Sequence, residues 1–186
     1  MNLKFTNFFA FAVLFVSICG VCISCGDDNN EPTHYEEPAD YVGDYVGTMS
    51  TFLTSRPEIG EMEMGDSINQ HIELRLDSIG TATVIYHDWT YQGVNYGDLV
   101  FHPVHMEQYL LNNVTKYKLS CECTQILYKN GRGFEAALTL NGQLLRTSGG
   151  HSAELSLFVN MPVAPTMTLK FRLEYSGEKK GLMFPR

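Results

Sequence analysis

From Tyr41 onward, apolar and polar residues alternate between short clusters of turn-forming residues. Ile68, Gln70, Ile72, Leu74 and Leu76 fall on one face of an extended chain, with Asn69, His71, Glu73, Arg75 and Asp77 on the other. Met167, Leu169, Phe171, Leu173 and Tyr175 alternate with Thr168, Lys170, Arg172 and Glu174. Tyr117, Leu119, Cys121 and Cys123 alternate with Lys116, Lys118, Ser120 and Glu122, and Ala153, Leu155, Leu157, Val159 and Met161 alternate with mostly polar residues, Phe158 excepted. A period of two sends successive side chains to opposite faces of a strand, so each segment buries one face and solvates the other. No stretch carries apolar residues at helical spacing. The pattern predicts strands near 44–54, 67–77, 81–88, 97–104, 115–127, 133–145, 152–161 and 166–175. Turn residues such as Gly80, Gly93, Gly97, Gly131 and the Gly149-Gly150 pair separate them. Eight consecutive strands with short links predict an all-β fold, an eight-stranded antiparallel up-and-down barrel.

The same alternation selects an inward face: Ile72, Leu74, Leu119, Leu138, Leu155, Leu157, Leu169 and Phe171, with the small residues Cys121, Ala136 and Ala153 on the same strands. An eight-stranded barrel is just wide enough either to be filled by side chains or to hold one small ligand. The small residues favour a partial cavity near one mouth. Leu119, Cys121, Ala136, Leu138, Leu155, Leu157, Leu169 and Phe171 are therefore the candidate ligand-binding residues, for an apolar or amphipathic molecule. A competing reading fills the interior and gives recognition to the hairpin tips, which would touch a glycan or a protein. There the only tryptophan, Trp89, lies near Tyr91 and Tyr96 in a segment rich in Gly and Asn, a candidate surface aromatic platform for stacking on sugar rings. Capping one end of the barrel is the commoner role for such rings, and the preferred reading of the two.

The first forty residues differ from the rest. Lys4 precedes an apolar run from Phe8 to Ile23, broken only by Ser17 and Gly20. A positive start, a short apolar stretch and small residues after it form a signal-peptide layout. The run is short for a spanning helix, which needs roughly 20 apolar residues, although an uncleaved anchor is the alternative. Cys19 and Cys22 lie inside it and act as small hydrophobes. Gly26 to Asp40 carries six acidic residues, no Lys or Arg and two prolines, and reads as an extended tether. The expected organisation is a leader over 1–24, an anchored cysteine and tether over 25–40, and the barrel over 41–186.

Charge narrows the partners. The chain has 13 Lys and Arg against 21 Asp and Glu, a net charge of −8, which argues against a phosphate-binding surface and so against nucleic acid. Cys121 and Cys123, two apart in a strand, share a face but are poorly placed to bridge each other. His102 and His105 in the HPVH stretch could meet a divalent ion only if Pro103 bends the strand, and no carboxylates accompany them, so no metal and no cofactor are expected. No nucleophile elbow, P-loop or dinucleotide fingerprint occurs, so no catalytic residue can be named and the expectation is a non-enzyme.

Two resemblances extend these readings. Cys22-Ile23-Ser24-Cys25 resembles a bacterial lipobox, with Cys in place of the usual Leu at its first position. The resemblance implies that Cys25 becomes the lipidated N-terminus and the chain's link to the membrane. Asp27 and Asp28 resemble the signal that sends Bacteroidota lipoproteins to the outer face of the outer membrane, and a plain solvated spacer is the alternative. Gly43-Asp44-Tyr45-Val46-Gly47-Thr48, Met161-Pro162 and Phe171 to Gly177 resemble the calycin-like domain of Bacteroidota secreted lipoproteins. That implies a lipocalin-like barrel related to small-molecule carriers, with no catalytic residues to transfer; here Tyr45 stands where lipocalins have Trp. Asp66-Ser67-Ile68 and Asp77-Ser78-Ile79 resemble Bacteroidota O-glycosylation sites. A lipid-facing barrel would alternate in the same way, but the acidic tether, the polar Gln70 and a C-terminus without a terminal aromatic argue against it.

Overall fold

The computed structural model describes residues 36–78, 80–112, 114–129, 131–164 and 166–181. Cys25, the apolar run before it and the acidic pair after it lie outside the described residues. The barrel strands are β1 (Gly43–Thr54), β2 (Met62–Ser78), β3 (Thr81–Tyr86), β6 (Leu99–Leu111), β7 (Val114–Lys129), β8 (Arg132–Thr147), β9 (Gly150–Ala164) and β10 (Met167–Lys179). A small hairpin, β4 (Thr90–Tyr91) with β5 (Val94–Asn95), interrupts the series between β3 and β6. The barrel closes in the order β1-β10-β9-β8-β7-β6-β3-β2, every pair antiparallel. The fold is all-β and up-and-down, as the alternation predicts. Most strands run longer than the sequence suggests, because cross-strand partners extend the pairing into polar ends.

The predicted inward residues Ile72, Leu74, Leu119, Cys121, Ala136, Leu138, Leu155, Leu157 and Phe171 are all buried, and they join Tyr45, Met49, Phe101, Leu140, Leu173 and Tyr175 in one continuous core. Leu169 is half-buried against the same core. Charged residues such as Arg75, Lys118, Glu135 and Glu154 point outward. This polarity is the inverse of a lipid-facing barrel, which turns its apolar side out. No helix among the described residues is long and apolar enough to cross a membrane.

The expectation for β2 needs correction at both ends of its inward face: Leu76 is 36% exposed. Ile68 is 71% exposed rather than inward. The β1 register passes from Gly47 opposite Gln70 to Met49 opposite Ser67, so β2 carries an extra residue there, and Asn69 takes φ 56°. An inserted residue reverses the alternation on one side of it and sends Ile68 to the solvent side.

The β1 motif has a packing reason. Gly47 sits opposite Gly177 on β10, and a Cβ on Gly47 would fall 2.0 Å from the Ser176 carbonyl. A Cβ on Gly177 would meet the Tyr175 hydroxyl at 2.1 Å. Two facing glycines thus let the Tyr175 ring lie flat against the barrel wall.

Around Pro103 the wall is looser. The inward positions shift from Phe101 to Val104 across a cis His102-Pro103 bond. β6 pairs with β7 only from His105 onward. Before that point the Gln125 side chain takes the place of a strand: its Oε1 accepts from Val100 N–H at 2.9 Å, and its Nε2 donates to the Asp98 carbonyl at 2.7 Å.

Candidate functional site

Apart from Cys121, the residues expected to line a ligand cavity lie in the core and line neither of the two clefts described below. Tyr41, Tyr45, Phe101, Phe171, Met49, Ile72, Leu99 and Leu119 head a set of large side chains that are almost wholly buried together. Of the candidate ligand-binding residues, only Cys121 borders either of the two cavities described below. The small side chains of Cys121, Ala136 and Ala153 are themselves buried in this one continuous core rather than bordering an open lumen.

The proposed aromatic platform is also corrected. Trp89 is 2% and Tyr96 6% exposed, and Tyr91 is half-buried. The segment 87–98 folds into the mouth. Trp89 and Tyr91 meet the inward Phe171 ring edge-on at 5.1 and 4.8 Å, and Trp89 lies 5.0 Å from Tyr96. Trp89 N–H donates to the Gly97 carbonyl at 2.9 Å, and Tyr96 N–H to the Trp89 carbonyl at 2.8 Å. Asp98 pins the base of the segment by accepting Asp88 N–H at 3.0 Å. That hydrogen bond, helped by His87 beside it, holds the Asp98 carboxyl below its usual range. Gly and Asn in this segment serve a tight turn and its internal bonds, and burial of the rings is decided by Phe171, which is distant in sequence.

The opposite end is closed by residues that the composition placed in the tether. Pro38–Tyr41 form a short 3-10 turn, and Glu36 is only 6% exposed. The Tyr41 hydroxyl donates to Glu36 Oε2 at 2.6 Å, the Tyr117 hydroxyl to the Glu36 main-chain carbonyl at 2.9 Å, and the Tyr45 hydroxyl to the Tyr41 carbonyl at 2.7 Å. Arg146 Nη1 lies 3.1 Å from Glu36 Oε1, and His151 Nε2 lies 3.4 Å from Oε2, near enough for attraction but not aligned for a hydrogen bond. Burial pushes the Tyr41 and Tyr45 hydroxyls well above the usual phenol value, and for Tyr41 the Glu36 carboxylate adds to the effect. Sequence reading missed this arrangement because Glu36 looks like one of six similar acids in a solvated spacer.

Two cavities lie on the exterior. The larger, about 740 Å³, is a cleft between the β1–β2 loop and the β9–β10 hairpin, lined by Thr54, Ser55, Arg56, Pro57, Glu58, Thr166, Met167, Thr168 and Lys170. The smaller, about 330 Å³, is a notch where β6 leaves β7, lined by Pro103, His105, Ser120, Cys121, Glu122, Thr139 and Asn141. Cys121 and Cys123 are free thiols, and burial pushes the Cys121 thiol up to about 12, which leaves it unreactive at neutral pH.

The histidines of the HPVH stretch do not converge. His102 Nδ1 faces Asp77 at 3.3 Å and Thr83 at 3.1 Å, whereas His105 borders the notch. No cluster of three or more His, Cys, Asp or Glu side chains among the described residues is placed to hold a metal. Ser67 is exposed on β2, beside Asp66, which accepts from Ser50 Oγ at 2.6 Å. The Ser78 side chain and Ile79 lie outside the described residues.

The fold and these sites define an eight-stranded up-and-down barrel with a packed interior. No known protein family matches the chain, and no curated protein matches it. Among solved structures it is similar to a candidate outer membrane protein from Bacteroides fragilis, with 14% identity and a TM-score of 0.48. The match covers 76% of this chain and 52% of the other, so the chain spans about half the length of that protein.

Proposed function

We propose that this chain is an exported lipoprotein, anchored through Cys25 at the outer membrane, whose barrel is a solid module that acts through its exterior and has no catalytic role. The observation that carries this reading is the lumen, occupied by core side chains between the Trp89–Phe171 cluster at one end and the Tyr41–Tyr117 cluster at the other. A carrier of apolar ligands needs an apolar cavity, commonly of about 300–1,000 Å³, whereas the two clefts of that size described here lie outside, against mixed polar and apolar walls. The charged N-terminus, short apolar run and Ser24-Cys25 support the anchor, since two or more acyl chains bind a membrane stably, at roughly 0.8 kcal/mol per buried methylene.

The test has two arms on the full chain. Cys25→Ala should move the protein from the membrane to the soluble fraction and abolish labelling by fatty acid, and retention on membranes would overturn the anchor. A fluorescent fatty acid titrated into the wild-type protein should not bind saturably at micromolar concentration, and saturable binding would restore the carrier reading.

A further inference from the structure

We infer that the 740 Å³ cleft binds an acidic sugar, a hydroxyl-rich ligand bearing one carboxylate per unit. This rests on the reading that the barrel acts through its exterior, and names the ligand class for that surface. Arg56 and Lys170 both line the cleft, both are exposed, and neither side chain has an ion-pair or hydrogen-bond partner among the described residues. That is notable on a chain of net charge −8. Nearby cations are engaged: Arg172, two residues along the same outward face, donates to Glu61 at 3.0 and 2.6 Å and to Glu174 at 2.8 Å, and lies 3.9 Å above the Phe52 ring.

Arg172 has a second effect. By holding Glu61, it fastens the end of the β1–β2 loop to β10, and Ile59 N–H donates to the Arg56 carbonyl at 3.2 Å within that loop. The loop carrying Arg56 and Glu58 is thus tied to the strand carrying Lys170, and the cleft between them has fixed walls.

The lining selects the ligand. Arg56 and Lys170 supply cationic donors for carboxylates of one ligand, the guanidinium through two parallel hydrogen bonds and the ammonium as a point charge. Thr54, Ser55 and Thr168 supply hydroxyls that both donate and accept, as hydroxyl-rich ligands require. Glu58 adds a carboxylate that accepts from ligand hydroxyls and repels a group that carries two charges of its own, which disfavours a phosphate monoester. No aromatic ring among the described residues lines the cleft, so a neutral sugar lacks there the stacking surface that would bind it without charge.

The experiment titrates the full-length protein with the trimer of galacturonic acid, and with the neutral trimer of galactose as control, by calorimetry. The acidic trimer should bind and the neutral one should not, and binding should weaken as salt is raised. Arg56→Ala and Lys170→Ala should each weaken binding about tenfold, the scale of one charge-assisted hydrogen bond, with unchanged melting temperature because neither side chain holds the fold. Arg146→Ala, which removes an exposed cation at the other end of the barrel, should leave affinity unchanged. Absence of binding to the acidic trimer, equal binding of both trimers, or affinity indifferent to Arg56 and Lys170 overturns the assignment. Fatty-acid binding alongside uronate binding would instead overturn the exterior-only reading and leave the cleft standing.

Discussion

The two ends of this barrel are closed by different physics. At the β4–β5 end the plug is aromatic: Trp89, Tyr91 and Tyr96 gather on Phe171, and its hydrogen bonds run mostly within the 87–98 segment. At the chain-terminal end the plug is polar: Glu36 and three tyrosine hydroxyls form a bonded cluster joining the N-terminal segment to β1, β7, β8 and β9. An aromatic plug is indifferent to protonation and sensitive to lost volume. A hydrogen-bonded plug has the opposite sensitivities, because each buried polar group depends on its partner.

The largest effect should come from the aromatic end. Phe171→Ala removes the ring on which Trp89 and Tyr91 pack and leaves a void, at a cost of about 3–5 kcal/mol. Urea melts should show the loss, and fluorescence of the single tryptophan should shift toward the red as Trp89 meets water. If stability falls without a tryptophan shift, the 87–98 segment is held by its own hydrogen bonds and not by Phe171.

Alkali should act on the opposite end. The Tyr41 and Tyr45 hydroxyls ionise well above the ordinary value of 10.0, chiefly because burial disfavours the phenolate. Their stabilisation is therefore complete below the unfolded value and is lost as pH rises through the folded ones. Above pH 10 the loss should approach roughly 1.4 kcal/mol per pH unit for each tyrosine. Acid works in the other sense and more weakly at the aromatic end, where Asp98 is held low by Asp88 N–H; that contribution is present above the usual carboxylate range and lost as pH falls through the lowered value. Melting temperature measured from pH 3 to 11 should fall more steeply on the alkaline side, where the Tyr175 and Tyr86 hydroxyls, also raised by burial, add to the effect; Tyr41→Phe should flatten that limb, and an unchanged slope would contradict the polar character of the Glu36 end.

A smaller effect should follow from Glu36→Ala. It leaves the Tyr41 hydroxyl without its carboxylate and Arg146 without a partner, a loss of about 1–3 kcal/mol. Tryptophan fluorescence should be unchanged, since Trp89 lies at the other end. Arg146→Ala, which removes a half-exposed partner, should cost under about 1 kcal/mol. Equal losses from the two variants would mean that the ion pair, and not the tyrosine bond, holds the segment.

The barrel wall was legible in the sequence, the aromatic cap was legible as the commoner role of its rings, and the polar plug was not. Strand count and inward face follow from a local rule with period two, and Leu119, Leu138, Leu155 and Leu157 obey it. Ile68 departs because a bulge at Asn69 alters the phase, and no residue type near it announces an extra position. The Gly and Asn around Trp89 left an exposed platform open beside the preferred cap, because the ring's burial depends on Phe171, 82 positions later. Glu36 reads as spacer because its burial depends on Tyr41, Tyr117, Arg146 and His151, which meet only once the barrel closes. The cleft is hidden for the same reason: Arg56 and Lys170 are ordinary surface cations until β1 pairs with β10.

The finest test concerns a hydroxyl that gains nothing from the polar plug. Thr115 is 2% exposed, and its Oγ1 has no hydrogen-bond partner among the described residues, although its main-chain carbonyl receives the Tyr41 hydroxyl at 3.3 Å. A buried hydroxyl with no partner has lost its water without replacement, at a cost of about 1–3 kcal/mol, and valine has nearly the same shape without the oxygen. Thr115→Val should therefore raise stability, by about 1 kcal/mol once imperfect packing is allowed for, or roughly 2–4 °C in melting temperature. The carbonyl that Tyr41 uses is untouched, so the alkaline limb of the pH profile should keep its slope. A fall in melting temperature would mean that the hydroxyl belongs to the bonded cluster after all, and the polar plug would then extend one residue further into β7 than its hydrogen bonds show.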